Sequence, residues 1–253
     1  MLVDGSVDWR VVDEDKVGFD VSEERLGIRP DPTTPEREHR IAALEAVNMG
    51  DWGRAASEWR AQPEAPSGPT ELAFVAMALA DLGDESATGY AATLEAWQPT
   101  ETAAVIAHLR FRQGNLEAAT VALETLFTRL RTDPWPMLRL LRPLFNDAGQ
   151  IATKDPRLAA RLYAVMREPF VLRLFDADRH RAAFFIALGV AGPACIEAMA
   201  SFGANIPWDE TFLRARYDCF RQNKDDAHAR DADRDWQAFA ALRSSDFGAG
   251  LSP

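Results

Sequence analysis

Three short segments of the chain share one form: each places a glycine and a polar or acidic residue directly before an alanine-rich stretch. They are residues 50–56, 83–88 and 114–119, and their first glycines are 33 and 31 residues apart. A glycine followed by an N-capping side chain is typical of the junction between two helices. A period of about 34 residues is typical of stacked helix pairs. The sequence therefore predicts an all-α chain built from repeated helical hairpins.

The first 35 residues have a different pattern. Apolar and polar residues alternate on both sides of an acidic turn, which predicts a short β-hairpin over Val7 to Val21. Three prolines then predict a stiff connector, with Pro35 at the first position of the first helix. Residues 1–35 are accordingly interpreted as a hairpin and connector that precede the helical part.

The helix pairs within residues 36–133 resemble the tetratricopeptide-repeat family. At the two positions of the family's repeat where paired helices approach most closely, all three repeats carry small residues. These are Ala43, Ala55, Ala76, Thr88, Ala107 and Ala119. The resemblance implies a right-handed superhelix, a solenoid whose first helices line a concave groove that holds an extended peptide or a partner helix.

Helical periodicity continues beyond this region without the glycine signal. Residues 134–244 are interpreted as degenerate repeats that close the array, with helices over 137–153, 156–167, 170–188, 194–202, 208–221 and 225–244. Residues 245–253, which include two glycines, are expected to form a flexible tail.

Composition narrows the function classes. A net charge of −11, with arginines interleaved among acids, makes nucleic acid an unfavourable partner. The start of the chain does not have the pattern of a secretory signal, and the apolar stretches are too short to span a membrane. Cys195 and Cys219 lack Cys-x-x-Cys spacing and are interpreted as buried thiols. We expect a soluble cytoplasmic protein with no membrane partner; its oligomeric state stays open.

The groove positions of the family identify a candidate partner-binding surface. We select from them Arg37, Arg40, Asn48, Met77, His108, Phe111 and Arg112. The arginines are suited to an acidic ligand, because a guanidinium presents a fork of donors that matches a carboxylate. The alternative, helix-face arginines paired within their own turns, is equally compatible with the sequence.

Catalytic and metal-binding patterns are weak. The four histidines are not spaced as metal ligands, and the acidic run from Asp231 to Asp235 has Trp236 where a calcium loop needs a glycine. His180 with Asp176 or Asp178 is the remaining acid–base alternative, and structural ion pairing explains that cluster equally well. We expect no catalytic residues, no metal and no cofactor.

A second resemblance concerns residues 133–136, 155–163 and 168–179, whose order is similar to that in helical carboxy-terminal extensions of some bacterial fused spermidine synthases. The catalytic half of such enzymes has no counterpart here. The favoured hypothesis is a non-enzymatic scaffold that binds a partner protein or a parent-enzyme domain through its groove. The alternative is an accessory or regulatory domain of polyamine biosynthesis, in possible contact with a polyamine.

Overall fold

The structure, a computed structural model, describes residues 35–62, 64–190, 192–203 and 205–248, with side chains from residue 37 to residue 243. Within these ranges every regular element is a helix, the helices are joined by loops, and no strand is present. The all-α prediction is therefore confirmed for the described residues. The hairpin predicted before Pro35 lies outside them, and Pro35 does begin the first helix.

Twelve α-helices make up the described part of the chain. They are α1 (Pro35–Met49), α2 (Trp52–Ala61), α3 (Gly68–Asp81), α4 (Ala87–Leu94), α5 (Pro99–Arg112), α6 (Leu116–Arg129), α7 (Leu138–Lys154), α8 (Pro156–Met166), α9 (Asp176–Ala187), α10 (Ala194–Ala200), α11 (Glu210–Gln222) and α12 (Asp226–Gly248). A short 3-10 helix, Arg173–Phe175, precedes α9. None of the described helices has the length and hydropathy of a membrane span.

The three predicted junction glycines end helices α1, α3 and α5. Gly50, Gly83 and Gly114 have φ values of +77°, +70° and +76°, in the left-handed region that favours glycine. The amide of the next residue donates to a carbonyl five positions back in each case, as from Asp51 to Ala46 at 2.9 Å. This arrangement satisfies carbonyl groups that a helix end would otherwise leave unpaired.

The helices pack in chain order: α1 to α10 and part of α11 share one core, and α11 and α12 enclose a second, small cluster. Helices α3, α5, α7 and α9 each lie against the next member of this series, while α6 lies against α8. The alanines at the close-approach positions, Ala43, Ala55, Ala76, Ala107 and Ala119, have no exposed surface, and Thr88 is half-buried. Small side chains at these points let neighbouring helices approach closely.

Two predicted boundaries differ from the structure. The helix predicted to begin at Phe170 begins only at Asp176, because Phe170 and Phe175 are buried in the core and Leu172 between them is extended. At the other end, α12 continues to Gly248, so residues 245–248 are helical rather than part of a flexible tail.

The interpretation of the two cysteines as thiols is wrong. Cys195 in α10 and Cys219 in α11 form a disulfide, with an S–S distance of 2.06 Å. Both residues are buried, and a sequence separation of 24 gave no spacing signal. The bond joins the last helix pair, α11 and α12, to α10 and the helices before it.

Candidate functional site

The middle of the predicted groove is filled. Met77 and His108 are 0% and 4% exposed, and their neighbours on the same helix faces, Ala73, Ala80 and Ala104, have no exposed surface. Helices α3 and α5 are each covered by several other helices, so these two residues, which were predicted to face a partner, belong to the core. The assignment of Met77 and His108 to an open binding surface is therefore corrected.

The amino-terminal end of the predicted groove is occupied by an internal ion pair. The Arg40 guanidinium contacts the Glu71 carboxylate and the Ser67 hydroxyl, and it lies 6.0 Å from the Trp59 ring centroid. Burial opposes ionisation of Glu71, but hydrogen bonds from Arg40 and Ser67 lower its pKa overall. Arg40 therefore joins α1 to α3 through contacts within the chain. Arg37 and Asn48 are exposed, and the Asn48 carbonyl accepts a hydrogen bond from Arg139 at 2.6 Å.

A buried charged cluster links the carboxy-terminal halves of α3, α5 and α7. The Nδ1 atom of His108 lies 2.6 Å from an oxygen of Asp147, and its Nε2 atom lies 3.0 Å from an oxygen of Asp81. Asp147 is 2% exposed, and Asp81 is partly exposed. A histidine that contacts two carboxylates through both ring nitrogens can donate to both only as an imidazolium.

The pKa directions agree with this charge state. Burial alone would lower the pKa of His108, but hydrogen bonds to Asp147 and Asp81, together with their charges, raise it overall. The hydrogen bond from His108 lowers the pKa of Asp81, and the nearby Arg112 lowers it further. The cluster therefore holds an imidazolium between two carboxylates, with a second cation at its outer side.

An open cleft of about 400 Å³ lies directly outside this cluster. Its lining residues are Asp81, Leu82, Phe111, Arg112 and Gln150. We call it the α3–α5–α7 cleft. The Arg112 Nε donates to the Asp81 carbonyl at 2.6 Å, while nearly half of its side chain is exposed. The Lys154 ammonium lies 5.7 Å from the Phe111 ring centroid.

The cleft combines an aromatic surface with two cationic groups. His108 and Arg112 together balance the charges of Asp81 and Asp147, so the net charge left for a ligand is that of Lys154, and Arg112 adds a half-exposed guanidinium to the lining of the cleft. Such a site is suited to a carboxylate that is accompanied by an apolar group. Two predicted groove residues, Phe111 and Arg112, are therefore together at one surface.

Sequence reasoning missed the contribution of α7 to this site. Asp147, Gln150 and Lys154 follow one another at helical spacing and lie on the face of α7 that turns toward α5. When the repeat register is continued into α7, Asp147 falls at a close-approach position that is normally held by a small residue. A carboxylate at a position that packs against another helix is the one sequence feature that could have indicated a buried charged partner such as His108.

The acid–base alternative does not form a dyad. The His180 Nε2 lies 2.6 Å from an Arg179 guanidinium nitrogen, and Asp176 lies near Arg173 and Arg179. Burial, followed by the charge of Arg179, lowers the pKa of His180. Among the described side chains, no group of three or more histidine, cysteine or acidic residues is arranged to hold a metal ion. In the acidic run from Asp231 to Asp235, Asp231 pairs with Arg234 and Asp235 pairs with Arg216.

A second groove lies between α5 and α6 and has a volume of about 500 Å³. Its floor is apolar and includes Ile106 and Val121, and its ends carry Arg110 and Arg129. Both arginines are paired, with Glu85 at 2.7 Å and with Glu95 at 3.0 Å. The cationic groups of this groove are therefore already used within the chain.

Comparison of the chain with protein-family models, curated proteins and solved structures finds no match.

Proposed function

We propose that this chain is a non-enzymatic helical-repeat module, a tetratricopeptide-like solenoid that binds a partner protein. The in-phase glycine ends, the buried alanines and the ordered packing of α3, α5, α7 and α9 support a repeat architecture. Repeat proteins of this type act mainly through extended surfaces that hold another chain. The α3–α5–α7 cleft is the surface that we assign to the partner.

The observation that carries this proposal is the placement of Lys154 beside the Phe111 ring, at a cleft that the half-exposed Arg112 also lines and whose other charges are balanced within the chain. The expected ligand is an acidic segment with an adjacent apolar side chain. Its carboxylate would pair with the two cations, and the apolar group would lie on Phe111 and Leu82.

The polyamine alternative is less well supported by this site. A polyamine is a cation, and the open charges of the cleft are positive. The chain's net charge of −11 favours binding of a cation elsewhere on its surface, so the alternative is worth testing. Calorimetry with spermidine at low salt would measure polyamine binding directly. A heat of binding that is unchanged in Phe111→Ala and Lys154→Glu would show that a polyamine binds outside the cleft.

The binding proposal can be tested by selecting a random peptide library on the full chain. We expect selected peptides to be rich in Asp or Glu next to an apolar residue. Phe111→Ala and Lys154→Glu, each checked for folding by circular dichroism, should weaken binding of those peptides by about tenfold or more.

Arg157→Glu is the matched control, since Arg157 is a highly exposed arginine near the start of α8. It should leave peptide binding unchanged. Peptides without acidic residues, or peptides whose binding ignores the Phe111 and Lys154 variants, would contradict the assignment of the cleft.

A further inference from the structure

The α3–α5–α7 cleft has a proton-binding group directly behind its wall. The Nε2 atom of His108 lies 3.0 Å from Asp81, a residue that lines the cleft, and the Nδ1 atom lies 2.6 Å from Asp147, deeper in the protein. The Asp147 side chain is 3% exposed, whereas that of Asp81 is 24% exposed. The Nε2 atom is therefore the one on the solvent side of the imidazole, and the Nδ1 atom is enclosed.

The two carboxylates differ in what else they can contact. Loss of one proton from His108 leaves a single N–H donor for both of them. Asp147 is buried, so leaving its carboxylate without a donor is the more costly alternative. Asp81 has a second cation within reach, because its Oδ1 atom lies 3.8 Å from the Nε atom of Arg112. The proton is therefore lost from Nε2, whose lone pair then repels the Asp81 carboxylate toward Arg112.

The other charged groups on the helices packed around α5 have positions or partners of their own. Helix α4 contains no charged residue. On α3, α5 and α6, the pairs are Glu71 with Arg40, Glu101 with the Met137 amide, Arg110 with Glu85, Glu117 and Glu124 with Arg161, and Arg129 with Glu95. On α7, Arg139 donates to the Asn48 carbonyl, Arg142 is exposed and Lys154 lies beside Phe111. His108 therefore titrates against Asp81 and Asp147, with Arg112 and Lys154 as the cations at the cleft.

The charge presented by the cleft changes with this proton. When the imidazole is protonated, the cations of His108, Arg112 and Lys154 outnumber the two carboxylates of the cluster. When it is neutral, two cations face two carboxylates and the net attraction for an anion is lost. Movement of Asp81 toward Arg112 also occupies the guanidinium that would meet a ligand carboxylate. Both effects weaken the binding of an anion at higher pH.

We propose that His108 is a proton switch for ligand binding at the α3–α5–α7 cleft. The imidazolium holds Asp81 and leaves Arg112 available to an acidic ligand, whereas the neutral imidazole releases Asp81 to Arg112. This regulation rests on the proposed function, because the ligand is the acidic segment assigned to the cleft. Burial lowers the pKa of His108, but its two carboxylate partners raise it overall, so binding should weaken above a pH of about 6.5.

The first test needs no ligand. It is a pH titration of the nitrogen-15-labelled chain, followed by nuclear magnetic resonance of the His108 ring nitrogens and the Arg112 Nε–H group. We expect Nε2 to lose its proton while Nδ1 keeps its own, and the Arg112 signal to shift with the same midpoint. Loss of the proton from Nδ1, or an Arg112 signal that does not follow the titration of His108, would overturn the proposal.

The second test measures binding. The probe is a rhodamine-labelled synthetic peptide of alternating leucine and aspartate, whose carboxylates stay ionised above a pH of about 6. Fluorescence anisotropy should show affinity that falls by about tenfold from the acidic to the alkaline side of the His108 titration. Calorimetry in buffers of different ionisation enthalpy should show that binding takes up protons near the midpoint.

Two variants separate the switch from general effects of pH. Asp81→Asn removes the carboxylate that moves but keeps the shape of the side chain, so on the alkaline side it should bind the peptide about tenfold more tightly than the unchanged chain. His228→Gln is the matched control, because His228 is an exposed histidine that contacts Asp225 at 2.7 Å, outside the cleft. This variant should keep the full pH dependence.

The outcomes distinguish failure of the switch from failure of the proposed function. Equal peptide affinity on both sides of the His108 titration would overturn the switch and leave the proposed function intact, as would a pH dependence that Asp81→Asn retains in full. Absence of peptide binding at every pH would contradict the proposed function, and the ligand-free titration would then decide whether Asp81 moves between His108 and Arg112.

Discussion

At the scale of single residues, the most unusual feature is a buried histidine whose imidazole carries a positive charge between two carboxylates. His108 is almost fully buried, yet it sits between Asp81 and Asp147 and joins three helices. Taking an ionised group out of water is unfavourable, and removal of one partner from a buried pair leaves an uncompensated charge. The cluster therefore makes the geometry at the floor of the α3–α5–α7 cleft depend on the protonation of one imidazole.

This dependence predicts a pH-sensitive difference between the chain and a His108→Gln variant. Because the folded state raises the pKa of His108, its stabilising effect is complete below the ordinary pKa of about 6.5 and is lost as the pH rises through the higher folded value. Near pH 6 we expect the variant to be less stable by about 3 kcal/mol. The difference should shrink toward alkaline pH.

Urea denaturation at several pH values measures this difference. His228→Gln is the control, because His228 is an exposed histidine that also contacts an aspartate, Asp225, at 2.7 Å. It should change stability little at any pH. A His108→Gln effect that is equally large at acidic and alkaline pH would show that the imidazole acts by shape alone.

At the scale of helices, four junctions between described helices share one backbone form, in which the helix ends at a residue in the left-handed conformation. In three of them that residue is glycine, and in the fourth it is a lysine. Lys224, after α11, has a φ of +58°, and the amide of Asp225 donates to the Phe220 carbonyl at 3.0 Å. The Asp225 carboxylate then accepts from the His228 amide at 3.2 Å, at the start of α12. The junction has the same form as those at Gly50, Gly83 and Gly114.

A lysine in the left-handed conformation is strained, so Lys224→Gly should stabilise the chain by about 1 kcal/mol. The reverse change at an equivalent junction, Gly114→Ala, should cost a similar amount, because the added Cβ meets open space and only the backbone conformation is unfavourable. Thermal denaturation of both variants tests the pair. A destabilising Lys224→Gly change would mean that the lysine side chain makes a compensating contribution.

This junction also shows what the sequence could and could not reveal. Glycines made the first three helix ends visible, and the alanines beside them identified the faces that are buried. The fourth junction was predicted from helical periodicity alone, as a break between residues 221 and 225, because its left-handed residue is a lysine and gives no glycine signal. The filled groove was missed for a different reason: the pattern identifies which faces of α3 and α5 point inward, but not how closely the surrounding helices cover Met77 and His108.

At the scale of the whole molecule, stability is expected to be uneven along the array. Helices α1 to α10, with part of α11, share one core, whereas Phe220, Ala229 and Ala232 form a separate small cluster between α11 and α12. The attachment of this last pair includes the packing of Phe212 on Phe184 at a ring distance of 4.8 Å and an ion pair between Arg181 and Asp209. The disulfide between Cys195 and Cys219 adds a covalent link. In the repeat architecture that we propose, each unit is stabilised mainly by its neighbours, so a terminal unit opens most easily.

Reduction of the disulfide should therefore lower stability by about 3 kcal/mol and act mainly on α11 and α12. Hydrogen exchange followed by mass spectrometry should show faster exchange in these two helices after treatment with a dithiol, while α3 and α5 stay protected. The Cys195→Ala, Cys219→Ala double variant should exchange like the reduced chain and should not respond to the dithiol. Uniformly faster exchange from α3 to α12 would instead show that the disulfide supports the whole core, and that the array unfolds as one cooperative unit rather than from its carboxy-terminal end.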